Sequence, residues 1–394
     1  MKIIITTPIL YEKTSPFNHL FKDIINGFLN EGHEVIRIVA CEKKTDIDYK
    51  MGIENKNITY IPVLRKKSEH SNIIKRYLLD TLTSIKMAKL LKKYQADILF
   101  EDVCYSSYWT IKSAKKKNLK IISMLQDVWP DNAVQSGLIK EESLVYKYFE
   151  FWQKKVYKLS DKIICISDDI KKFIKSKGIK EEKIEVVYNW GYDDKIINIP
   201  WEKNEFVKKY KLEKEKFYAI YAGNIGRMQN VELIIRAAEK LKENKKIHFL
   251  IIGNGVYRER IEKLINKEKI NNITLLPLQP TKLATSIYSA AGVNLIPLVT
   301  NGTKTALPSK TGVCLSCGRP VIFCFDKDSI FYELCIKYKA GECVSSKDEN
   351  ELVETLLKYS EKNLERNEGA INMYLKLFTR IKNIKKYVDI VNKI

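Results

Sequence analysis

Histidine is scarce in this chain, with four residues in 394. His19, His33, His70 and His248 are scattered and spell no metal-binding motif, and Gly32-His33-Glu34-Val35 reads as a helix-to-strand corner. Long apolar runs are missing too. None reaches the roughly 18 residues that a membrane-spanning helix needs. The apolar stretch 3–10 runs straight into a polar loop, so it reads as a first strand rather than a signal peptide. Cysteines are spread singly apart from Cys314 and Cys317. That pair has neither a second pair nor a nearby histidine, so it reads as two ordinary helix thiols of a reducing cytoplasm rather than a zinc or redox site. Acidic residues are in the minority, 48 against 69 lysines and arginines, for a formal charge of +21. Part of this excess follows from a Lys-, Asn- and Ile-rich composition. The remainder implies an anionic partner, and nucleic acid, an acidic membrane surface and phosphorylated small molecules all qualify.

What the chain does have is alternation. Short β-branched runs (Lys2–Thr7, Val35–Ala40, Ile58–Val63, Asp97–Glu101, Lys120–Met124, Lys162–Ile166, Ile184–Val187) are separated by helical patterns. In Phe17–Asn30, for example, Phe17, Leu20, Phe21, Ile24, Ile25 and Phe28 share one face. The pattern restarts at Phe217–Tyr221 and continues through Ile247–Ile252, Ile273–Leu276, Val293–Ile296 and Val321–Phe325. Such alternation predicts an α/β fold of two Rossmann-like domains with parallel sheets, over residues 1–195 and 196–375. A basic C-terminal helix over about 368–391 is expected, its 376–394 portion packing on its own domain or crossing back to the first. Ligands of open parallel sheets bind at the C-terminal strand edges, so an interdomain cleft is the expected site.

The loops at those edges carry the candidate chemistry. Ala222-Gly223-Asn224-Ile225-Gly226-Arg227 follows a strand and precedes a helix, and Gly253-Asn254-Gly255 repeats the device after the next strand. Glycines let backbone approach a ligand closely, and an arginine grips phosphate with a forked pair of hydrogen bonds. Pro308-Ser309-Lys310 then opens a short helix, where free amides and a lysine suit a phosphate. Singly, each is also a plain tight turn. Together they predict one phosphate or nucleotide site. In the first half, Asp127-Val128-Trp129-Pro130-Asp131 follows a buried strand. Asp127 there suits orienting or deprotonating a hydroxyl, and Trp129 suits stacking on a sugar, or else the two are a helix cap and a core ring. Glu101-Asp102 reads as a solvated loop. The helix over 72–93 carries Lys75, Arg76, Lys86, Lys89, Lys92 and Lys93 between apolar residues, a pattern compatible with core packing or with an anionic bilayer.

In this order, Gly32-His33-Glu34-Val35, Asp127-Val128-Trp129-Pro130-Asp131, Ile166-Ser167, Tyr188-Asn189-Trp190, Gly223-Asn224-Ile225-Gly226, Gly253-Asn254-Gly255, Pro308-Ser309-Lys310 and Gly318-Arg319-Pro320-Val321-Ile322 resemble the retaining glycosyltransferases of family 4 (group 1), which have the GT-B fold. The Asp-x-Trp-Pro and Pro-Ser-Lys pair is most similar to the bacterial subgroup that builds O-antigen, capsule and exopolysaccharide, some of whose members transfer amino sugars such as N-acetyl-fucosamine. The resemblance implies that the second domain holds a nucleotide sugar, with UDP as the expected carrier. Gly223, Asn224, Gly226, Arg227, Pro308, Ser309, Lys310 and Thr311 would surround the diphosphate, and Gly253, Asn254, Gly255, Leu276 and Leu278 would lie near the nucleoside. It also implies that the first domain holds the acceptor, with Thr14, Ser15, Asp127 and Trp129 as its contacts. Asp127, Arg227 and Lys310 are then the expected catalytic residues, and domain closure would assemble the site.

The chain departs from the family where two glutamates eight positions apart are common: Thr305 and Val313 stand there, as often in the Pro-Ser-Lys subgroup. The usual phosphate-binding lysine shortly after the arginine has no match between Arg227 and Arg236, and Thr14-Ser15 replaces a Gly-Gly turn. No metal and no cofactor beyond the nucleotide sugar is expected. The expected acceptor is a polyprenyl-diphosphate-linked saccharide, at the cytoplasmic, inner face of the plasma membrane, with peripheral contact to anionic lipid and no nucleic acid partner. Two other classes remain: a nonhydrolysing sugar-nucleotide epimerase, which the few histidines disfavour, and a basic nucleic-acid-binding protein, which would interleave aromatic and basic residues on one face.

Overall fold

The β-branched runs do build parallel strands, and the polar residue ahead of several apolar helical patterns caps the helix. Ser143, Ser167, Asn204, Ser329 and Asp348 each accept a backbone N–H from the first turn they precede. The computed structural model describes residues 1–12, 17–43, 45, 48–67, 73–191, 196–362 and 366–394. The chain divides into two compact units: Met1–Asp131 with Ile139–Tyr188 and Ile381–Ile394, and Asn132–Leu138 with Asn189–Arg380.

The first unit has strands β1 (Lys2–Leu10), β2 (Glu34–Cys41), β3 (Ile58–Leu64), β4 (Ile98–Asp102), β5 (Lys120–Leu125), β6 (Lys162–Cys165) and β7 (Ile184–Val186), in the all-parallel order β3-β2-β1-β4-β5-β6-β7. Its helices are α1 (Asn18–Asn30), α2 (Ile73–Leu91), α3 (Tyr108–Lys116), α4 (Asp131–Gln135), which passes into the second unit, α5 (Leu144–Leu159) and α6 (Asp168–Ser176). Central strands such as β1 and β5 are buried along almost their whole length, as expected where helices cover both faces.

In the second unit, helices α7 (Glu205–Tyr210), α8 (Val231–Lys240), α9 (Arg258–Lys267), α10 (Ala284–Ser289) and α11 (Thr311–Ser316) alternate with strands β8 (Phe217–Ala222), β9 (Ile247–Ile252), β10 (Ile273–Leu276), β11 (Val293–Pro297) and β12 (Val321–Phe325). Residues 326–367, which periodicity does not resolve, contribute α12 (Ile330–Tyr338), β13 (Glu342–Ser345) and α13 (Glu349–Glu361). The sheet order is β10-β9-β8-β11-β12-β13, again all parallel.

The expected continuous C-terminal helix is broken. Helix α14 (Glu368–Met373) widens into a π-turn at Tyr374–Phe378, Thr379 leaves helical geometry, and α15 (Arg380–Lys393) follows. The wider turn buries both Tyr374 and Phe378, the latter against Gly312. Within the first unit, Ile384 of α15 lies on Gly27 and Tyr387 on Phe100.

Candidate donor and acceptor sites

In the second unit the strand order reverses between β8 and β11, the place where an open parallel sheet leaves a crevice for ligand. The glycine loops sit at this edge and interlock. The Gly223 N–H donates to Ile252 O (2.9 Å), Ile225 N–H to Asn254 O (2.8 Å) and Gly253 N–H to Leu276 O (3.1 Å). Gly253 and Gly255 both have φ of +155°, and a Cβ on them would fall 1.8 Å from Gly223 O and 2.3 Å from Ile225 O. Only glycine permits the two loops to close on each other in this way.

Lys310 joins them from the loop after β11. Its side chain lies along Gly223, where an added Cβ would be 3.1 Å from Nζ, and the ammonium stands 3.5 Å from the centre of the Tyr221 ring. Lys310 Nζ is buried and has no hydrogen-bond partner among the described residues. Desolvation lowers its pKa from 10.5 to about 7. A buried ammonium laid against a ring face is poised to gain from an arriving anion. Arg227 is exposed, donates to the Tyr257 hydroxyl (3.0 Å) and lies over that ring. Asn224, Ser309 and Leu278 are exposed, and Pro308 is half-buried. Thr311 turns both its N–H and its hydroxyl to Pro308 O. Since α11 has only six residues, the positive charge of this edge rests on side chains more than on a helix dipole.

Sequence reasoning missed Arg258. Its Nη1 donates to Gly253 O and to Leu276 O (2.9 Å), and its Nε to Glu262 (2.9 Å), so one guanidinium braces two of the loops. The spacing Gly255-x-x-Arg258 was the available signal: it puts the arginine on the first turn of α9, facing back toward the strand ends. Thr305, standing where the family often has glutamate, donates its hydroxyl to Gln135.

In the first unit the strand ends are acidic. Glu101 and Asp102 correct the expectation of a solvated loop. Both belong to β4, and Glu101 is fully buried, accepting from the hydroxyls of Thr6 and Thr110. Burial pushes Glu101 up to about 8, and Asp102 up to about 7 despite the opposing pull of Arg37. The side chain turns inward because β4 is central, with helices on both sides. Asp127 follows β5 with an exposed side chain that makes no hydrogen bond or ion pair among the described residues. Desolvation by the protein around it still raises its carboxyl to about 6. Trp129 packs against Phe149 (5.3 Å) and Tyr105 (5.9 Å), and its buried indole N–H has no partner among the described residues. Thr14 and Ser15, like His70, lie outside the described residues.

Two family models match the chain in succession: Glycosyltransferase Family 4 over residues 19–191 and Glycosyl transferases group 1 over residues 202–374. A probable glycosyltransferase, WbjE, of Pseudomonas aeruginosa is 23% identical over 53% of this chain and 52% of its own length. The putative colanic acid biosynthesis glycosyl transferase WcaI of Escherichia coli is 28% identical over 29% of this chain and 28% of its own. The match thus spans about half of the first relative and less of the second. Among solved structures, Anabaena Alr3699/HepE in complex with UDP superposes with a TM-score of 0.73 at 13% identity, covering 100% of both chains.

Proposed function

Since the two halves of this chain belong to the family 4 and group 1 glycosyltransferases, with the GT-B fold, we propose that the second unit binds a UDP-linked sugar and that the protein transfers this sugar, with retention of configuration, to a lipid-linked saccharide in bacterial surface-polysaccharide synthesis. The observation that carries the reading is Lys310, a buried ammonium without a hydrogen-bond partner among the described residues, laid against a glycine loop at the switch point of the sheet. In the transfer, the bond from the anomeric carbon to the diphosphate oxygen breaks as the acceptor oxygen bonds to that carbon. Charge grows on the leaving diphosphate, and Lys310 and Arg227 stabilise it electrostatically. The proton of the acceptor hydroxyl passes to the departing phosphate oxygen, while Asp127 orients that hydroxyl. We read these two cations as sufficient without a metal ion, so a chelator leaves the rate unchanged.

The UDP complex of the Anabaena protein and the polysaccharide role named for the E. coli relative support the choice of donor and pathway class. The amino-sugar identity of the donor rests on the Asp-x-Trp-Pro and Pro-Ser-Lys resemblance. The test is a thermal-shift panel of UDP, GDP, ADP and TDP on the wild type, Arg227→Ala and Lys310→Ala. Ligand that binds only the folded state raises its melting temperature. A UDP-selective shift that is lost in both variants is expected. No shift with any nucleotide overturns the reading.

A further inference from the structure

The apolar surface left uncovered on the first unit is concentrated on neighbouring helices. On α5, Leu144, Val145, Tyr148 and Phe151 are 83%, 50%, 47% and 52% exposed. Positions 144, 148, 151 and 155 share one helical stripe, since they are spaced by four, three and four residues. Helix α3 adds Trp109, 37% exposed, 6.2 Å from the Trp152 ring of α5. Tyr77 of α2 bonds the Tyr148 hydroxyl at 2.8 Å, and the same helix exposes Leu78 and Leu82, one turn apart.

Cations frame this apolar face. Lys155 Nζ lies 4.1 Å from the Phe151 ring centre and 4.9 Å from that of Trp152, and Lys112 lies over Trp109. Helices α2, α3 and α5 together carry eleven lysines and arginines against two acids. Of those acids, Asp80 is buried against Arg65, and Glu150 is held by Lys154 and Lys177. The exposed exceptions are Glu141 and Glu142, just before α5 begins.

We infer that the α3–α5 face, with the exposed leucines of α2, is a docking surface for an anionic lipid bilayer. Three features select that partner. The most exposed side chains are aliphatic, which a nucleobase stack does not use but an acyl boundary does. Tryptophan and tyrosine suit the level of the headgroups. Lysines beside the rings extend their charge to lipid phosphate while their stems cover apolar surface. The inference deepens the reading of a lipid-linked acceptor and moves the bilayer contact from α2 alone, as the charge pattern in the sequence has it, to the neighbouring helices.

The experiment uses the whole chain with vesicles of phosphatidylcholine alone or mixed with phosphatidylglycerol. Sedimentation with the mixed vesicles only, weakening at raised salt, is expected. Tryptophan emission should shift to the blue on binding. The variant Leu144→Ser with Phe151→Ser alters only exposed side chains, and it should bind at least about tenfold more weakly with an unchanged melting temperature. Equal vesicle binding by variant and wild type overturns the inference. So does failure to bind the mixed vesicles accompanied by a gel shift with oligonucleotide or by a dimer that the variant dissolves. The nucleotide thermal-shift panel, read on the same samples, reports separately on the donor site: vesicle binding without a shift by any nucleotide sinks the proposed donor site and leaves this inference standing.

Discussion

The two units share a strand plan and differ in what ends the strands. In each sheet the first strand is central, the second and third follow on one side, and the later strands lie on the other. In the second unit the strand ends open into glycine loops backed by Lys310, a cation without a hydrogen-bond partner among the described residues. In the first unit the ends of β4 and β5 carry Glu101, Asp102 and Asp127, all with carboxyl pKa values raised by desolvation. One edge is built to receive negative charge and the other to hold carboxylates near neutrality. The same topology thus serves two chemistries, because the last residues of a strand and the loops beyond it are free to vary while the buried pattern that forms the sheet is not.

The sharpest way to break the contrast is to block the glycine loops. Gly253→Ala drives a Cβ into Gly223 O at φ +155°. It should cost about 3 kcal/mol or more, read by urea unfolding, and abolish nucleotide binding. Gly32→Ala, also at positive φ but with nothing within 4 Å of the new Cβ, should cost only about 1 kcal/mol. A smaller effect is expected on the acidic side. Asp127→Asn should lower kcat by about tenfold, the worth of one orienting hydrogen bond to a charged group, while leaving the UDP thermal shift unchanged. Loss of UDP binding in this variant would erase the division of labour between the units.

The mildest test is a pH titration of nucleotide affinity. Lys310 in the free protein has a pKa of about 7, and a bound diphosphate should raise it. Between the two values the complex holds one more proton than the free protein. Affinity should therefore fall as pH rises above about 7, by no more than about tenfold per unit, and Lys310 should add no pH dependence below that. Calorimetry of UDP binding to the wild type, near pH 8 and in two buffers of different ionisation enthalpy, should show proton uptake that fades as the pH falls below about 7. Stability of the unliganded protein runs the other way. The unfolded chain binds the extra proton between about 7 and 10.5, so the Lys310 contribution to stability rises with pH across that window.

Much of this architecture is legible in the chain. Strands Ile247–Ile252, Ile273–Leu276 and Val321–Phe325 have the bounds their β-branched runs predict; in Ile247–Ile252 and Val321–Phe325, burial on both sheet faces demands a nearly unbroken apolar run. The loop positions of Gly223, Gly253 and Lys310 are readable because glycine after a strand marks a tight turn and Pro308-Ser309-Lys310 marks a helix start. Residues 326–367 were opaque: Glu342–Ser345 is a short strand with one fully buried position, and Ile330–Tyr338 mixes its apolar and polar faces. The break at Tyr374–Phe378 has no proline or glycine to announce it. Glu101 misled because charge normally marks solvent, and the hydroxyls that satisfy it come from Thr6, 95 residues earlier, and from the next helix.

Local sequence by itself determined the two repeats of parallel strands, the helix starts set by capping side chains, and the glycine loops with their lysine. Those features follow from periodicity, hydrogen-bond capping and backbone freedom, which act over a few residues. Tertiary structure alone decided that the Lys310 ammonium is buried against the Tyr221 ring, that Arg258 ties two loops together, that Glu101 turns inward, and that α3 and α5 leave an aromatic face uncovered. Each of these depends on which distant segments exclude water from a side chain, and the free energy of a charge or a ring is set by that exclusion rather than by its neighbours in sequence.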